Sequence, residues 1–225
     1  MTVLIGFVEN KKALILGDTK TTHMKHGENQ GTFEEVYKVH AISENVLIGI
    51  GGDNDLGIGI TKMLSSVFKL NHSQSLEEIL DYIQKTCVFA YDMFKQVHPT
   101  REPNLSLIVA GVDKDKNDLF LYEVPSNKNF IPQKPNIAEN LIVRGASQQN
   151  ENEVTKFIIE SIRKGVRYES FQQLFSAAVR SSDHEMVSKD TYSVALEYDE
   201  IKGFSALIFT VDEKGNLKQH DKLLI

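Results

Sequence analysis

Four short β-rich runs precede the first helical stretch, and that grouping constrains the fold more than any other feature of the chain. Val3 to Val8 and Ala13 to Gly17 flank the polar turn Asn10-Lys11-Lys12. Val36 to Ile42 and Val46 to Ile50 flank Ser43-Glu44-Asn45. Runs of Val, Ile and Phe separated by such clusters read as hairpins. Helical spacing then takes over. A helix is expected over Leu56 to Leu70, and Leu76, Ile79, Leu80, Ile83, Cys87, Ala90, Tyr91 and Phe94 recur at three- and four-residue steps. Ser75 with Glu78 predicts a capping box, in which hydroxyl and carboxylate satisfy orphan N–H groups at the helix start.

The second half repeats the pattern. Strands are predicted at Leu105 to Val112, Leu119 to Val124 and Leu141 to Val143, with a proline-rich polar stretch, Pro125 to Pro135, before the third. Helices fit Val154 to Ile162 and Phe171 to Val179, the latter with a second capping box, Ser170 and Gln173. Tyr192 to Leu196, Ala206 to Val211 and Leu217 to Leu224 read as strands. Thr19 to Gly31 is polar without an apolar period and reads as an exposed loop. Strands grouped apart from helices indicate an α+β fold. Two helix pairs around two antiparallel sheets give a four-layer αββα sandwich, with residues 1–225 as one domain.

Composition narrows the function classes. The 225 residues carry a formal charge of −6, which disfavours a general nucleic-acid or membrane-surface binder. No run reaches the roughly 18 apolar residues of a membrane helix. A single cysteine forms no internal disulfide, so the cytoplasm is the expected compartment. The opening strand belongs to the fold and is not a removable leader; loss of Met1 alone would place Thr2 at the chain end.

Thr2 at the head of a strand, Gly17-Asp18-Thr19 closing the next, and Gly49-Ile50-Gly51-Gly52-Asp53 before a helix resemble proteasome β-type subunits and the related bacterial ATP-dependent peptidase. These are N-terminal nucleophile hydrolases with an αββα sandwich, and the resemblance extends over nearly the whole chain. It implies a threonine-type peptidase acting on polypeptides inside a ring of copies, with an ATP-dependent unfoldase as partner and no cofactor or metal. By position it implies Thr2 as nucleophile, Asp18 as orienting acid, Gly49 as oxyanion donor, and Asp183 and Ser188 near the nucleophile. The family's Gly-Ser-Gly is replaced by Gly145-Ala146-Ser147. The chemistry has a clear basis: a hydroxyl needs a base within reach, and a free α-amine of pKa about 7.7–8.0 can supply it.

The family's catalytic lysine is the main departure. Aligning Glu35-Val36-Tyr37-Lys38-Val39 on the family's strand puts Glu35 at that position. Lys38 fills it only after a slip of three residues, and an odd slip turns a side chain to the opposite sheet face. Glu35 would then face Asp18; at about 5 Å and an effective dielectric of about 20, two carboxylates repel by about 3 kcal/mol. The alternative reading is therefore a catalytically inactive homologue serving as a structural ring, assembly or binding subunit.

Overall fold

The computed structural model describes residues 2–25, 28–70, 75–135, 138–182, 184, 187–199 and 203–220. Leu4–Glu9 (β1) and Lys12–Asp18 (β2) pair antiparallel in the register Leu4↔Gly17 to Glu9↔Lys12. Asn10 and Lys11 between them hold φ of 50° and 64°, the left-handed pair that a two-residue hairpin turn requires. Val39–Ser43 (β5) and Val46–Gly52 (β6) form the second expected hairpin.

Between these hairpins the structure corrects the sequence reading. Lys20–Lys25 (β3) and Glu28–Glu35 (β4) form a two-stranded ribbon where an exposed loop was expected. A ribbon held by its own ladder does not need the apolar alternation that marks a half-buried strand.

The remaining elements fall close to their predicted places. They are helices Asn54–Leu70 (α1) and Leu76–Val97 (α2), and strands Leu105–Asp113 (β7), Asp118–Pro125 (β8) and Leu141–Arg144 (β9). Helices Gln148–Arg163 (α3) and Phe171–Ser181 (α4) follow, then strands Thr191–Asp199 (β10), Gly203–Val211 (β11) and Leu217–Gln219 (β12). The expected extension of the last strand beyond His220 lies outside the described residues. The Ser75–Glu78 capping box is complete, with both reciprocal hydrogen bonds present. At α4 the Ser170 hydroxyl accepts from the Gln173 amide, while the Gln173 side chain donates to Glu169 instead of returning to the cap.

One sheet has the order β12-β11-β10-β2-β1-β9 and the other β5-β6-β7-β8. Three apolar cores identify the layers. Ile60, Leu64, Ile83 and Cys87 of α1 and α2 pack with Ile48, Leu107 and Val109. Leu4, Ile15, Leu47, Ile108 and Val194 meet between the sheets. Val154, Ile158, Phe175 and Ala178 of α3 and α4 pack with Ile5 and Leu16. The result is α1α2, sheet, sheet, α3α4: the αββα order expected from the sequence. Arg144 of β9 ties the layers laterally, pairing with Glu123 of β8 and with Glu151 of α3. Outside these cores, α2 leaves Phe89, Met93 and Val97 exposed, the last at 68%. Their four-residue spacing puts them on one helix face. No helix among the described residues is long and apolar enough to cross a membrane.

Candidate active site

The site forms where β1 begins and β2 ends. Antiparallel pairing sets Val3 opposite Asp18: the Asp18 amide donates to the Val3 carbonyl at 3.2 Å, and the Val3 amide donates to Asp18 Oδ1 at 2.9 Å. Thr2 is thus held at the head of β1, one residue from the Asp18 carboxylate. That carboxylate is fully buried and collects three further donors. Lys38 Nζ reaches Oδ1 at 2.8 Å, and the amides of Lys20 and Ser188 reach Oδ2 at 3.1 and 3.2 Å. A buried carboxylate needs such a set, because each lone pair removed from water must be satisfied.

Lys38 is the residue the sequence reading misplaced. Its side chain is 3% exposed and forms the ion pair with Asp18, so an ammonium stands where the Glu35 carboxylate was expected. The parity argument failed because no single strand spans the segment. β4 ends at Glu35 and β5 starts at Val39, leaving Val36, Tyr37 and Lys38 between them. Alternation applies only within a strand, and Glu35 instead pairs in register with Lys20 across the β3–β4 ribbon. Lys38 Nζ also donates to the Lys20 carbonyl at 2.5 Å. Burial pulls its pKa below the ordinary lysine value, with the Asp18 charge and hydrogen bond opposing that shift.

Ser188 stands on the other side of Asp18. Its hydroxyl accepts from Thr19 Oγ1 at 3.2 Å and from the Asp190 amide at 3.1 Å. Thr19 was not foreseen as part of this cluster; its position directly after Asp18, on the same strand end, is the only sequence signal for it. Asp183 and Met1 lie outside the described residues.

Gly49 lies in β6 between Val39 and Ile108. A side chain there would put a Cβ 2.8 Å from Ile15 Cγ2, so glycine lets the two sheets approach. The Ile50 amide donates to the Lys38 carbonyl at 2.8 Å. Amides alternate sides along an antiparallel ladder, so that of Gly49 turns toward β7, away from Lys38. Ser147 caps α3, accepting from the Asn150 amide at 3.2 Å. No group of three or more His, Cys, Asp or Glu side chains among the described residues could hold a metal ion.

The layered architecture and this site can now be set beside known proteins. The chain is similar to the crystal structure of eukaryotic HslV from Trypanosoma brucei, with a TM-score of 0.57. The match covers 87% of this chain and 99% of that one at 15% identity. The fold is that of the proteasome-like N-terminal nucleophile hydrolases. No protein-family model and no curated protein matches the chain. The likeness is therefore one of architecture.

Proposed function

We propose that this chain is an N-terminal-threonine hydrolase that cuts peptide bonds from the Thr2 hydroxyl once Met1 is removed. The observation that carries the proposal is the buried Lys38–Asp18 pair beside the head of β1. With Met1 gone, the Thr2 α-amine takes the hydroxyl proton as Oγ attacks the substrate carbonyl. The resulting tetrahedral centre collapses to a threonine ester and the leaving amine departs with that proton. Water, deprotonated by the same α-amine, then hydrolyses the ester. The Lys38 ammonium keeps this amine neutral, because a nearby positive charge disfavours a second one. Asp18 holds Lys38 in place, and Ser188 and Thr19 buttress Asp18.

Polypeptide substrates, assembly of copies into a ring, an ATP-dependent unfoldase and a cytoplasmic setting belong to the same proposal, with residues 1–225 acting as one domain. The exposed Phe89, Met93 and Val97 on α2 support assembly, since contiguous apolar surface marks an interaction face. Intact-mass analysis and an epoxyketone that labels terminal threonines test the chemistry together. Mature chains starting at Thr2 should be labelled, and Thr2→Ala should lower peptide hydrolysis at least about a thousandfold. Chains that start at Thr2 yet resist labelling would instead mark a ring subunit without catalysis.

A further inference from the structure

A second polar site lies in the groove between β5 and the middle of α1, and the chemistry at Thr2 does not use it. The groove encloses about 370 Å³, and its polar lining is His40 of β5 with Thr61, Lys62, Ser65, Ser66 and Lys69 of α1. Helical geometry explains this row: residues four apart stack on one face, so 61, 65 and 69 form one ridge and 62 and 66 its neighbour. Among the described residues the lining holds two lysines and no carboxylate.

One of the lining residues carries an unsatisfied group. His40 Nε2 is buried without a hydrogen-bond partner, while the ring also bonds the Tyr37 backbone. Buried polar atoms are nearly always paired, and an orphan calls for a missing partner. Thr61 and Ser66 send their hydroxyl protons to the Ile58 and Lys62 carbonyls, both at 3.0 Å. The donors left to a ligand are therefore the two ammonium groups, the Ser65 hydroxyl and His40.

We infer that this groove binds a phosphate group, held by Lys62 and Lys69 from one side and Ser65 and His40 from within. Two lysines match a dianion, and donors converging from a strand and a helix suit a tetrahedral group with several acceptor oxygens better than a flat carboxylate. The volume exceeds what a bare ion fills and falls within the ordinary range for small-ligand pockets. On binding, His40 takes up a proton so that Nε2 donates to the anion. Among the described residues, Lys62 and Lys69 are the other charged groups lining the groove. The site stands independently of the hydrolase proposed above.

The test titrates the full chain with inorganic phosphate, and separately with ribose 5-phosphate, at constant ionic strength against chloride and acetate. Binding is read by calorimetry and by the His40 imidazole signals in NMR. Phosphate should bind more tightly than acetate and move the His40 signals to their protonated positions. The exposed double variant Lys62→Gln/Lys69→Gln should weaken binding at least about tenfold. Tighter binding of the ester would assign the site to a phosphorylated metabolite, and equal binding to the free ion; both uphold it. Phosphate no better than acetate, unmoved His40 signals, or full affinity in the double variant would overturn it.

Discussion

The two ends of β2 carry ion pairs of nearly the same length and opposite character. At its start Lys12 meets Glu197 at 2.7 Å, with side chains 58% and 35% exposed. At its end Asp18 meets Lys38 at 2.8 Å, with exposures of 0% and 3%. The first pair sits in water, where an exposed bridge contributes about 0–1 kcal/mol. The second has lost its water, and three backbone amides on Asp18 and a carbonyl on Lys38 replace it. Distance alone thus says little about an ion pair. Its surroundings decide whether it decorates a strand or organises a site.

The sharpest way to break this comparison is Lys38→Met, which leaves Asp18 buried and uncompensated. Urea denaturation should show a loss of about 3–5 kcal/mol, and peptide hydrolysis should vanish with it. Adding Asp18→Leu to Lys38→Met removes the stranded charge but orphans three amides, so it should recover only part of the stability and none of the activity. Recovery of activity would separate the pair from the chemistry.

His40, two residues beyond Lys38, tests the same principle on a ring bonded only to the Tyr37 backbone among the described residues. Burial lowers its pKa below the ordinary 6.5, so the unfolded chain binds the proton more readily than the folded one. Stability should therefore fall as pH drops from 6.5 toward the folded-state value. His40→Gln should flatten that slope in denaturation measured across this range without phosphate. The smallest effect belongs to the exposed end: Lys12→Ala should cost less than about 1 kcal/mol, and a loss near that of Lys38→Met would dissolve the contrast.

The contrast also explains what could be read from the chain. Local signals carried the fold. The β-rich hairpins, the helical spacing of Ile79, Ile83 and Cys87, and the Ser75–Glu78 box each depend on neighbours in sequence, and the four layers follow from their order. Asp18 and Ser188 were expected from the family resemblance, and the structure joins them across 170 residues. The β3–β4 ribbon was missed because its sequence is mostly polar and shows no apolar alternation. Lys38 was missed because a break between β4 and β5 resets the alternation that sequence reasoning carried straight through. Gly49 was legible as a glycine that something demands, but two facing sheets make that demand as strongly as a catalytic amide would.

The double link between Val3 and Asp18 has one more consequence. It anchors the chain just after Thr2. Cutting ahead of Thr2 leaves the bonds that Val3, Lys20, Lys38 and Ser188 make to Asp18 in place. Maturation would then be a matter of one bond, with the machinery already cocked behind it and no refolding to wait for.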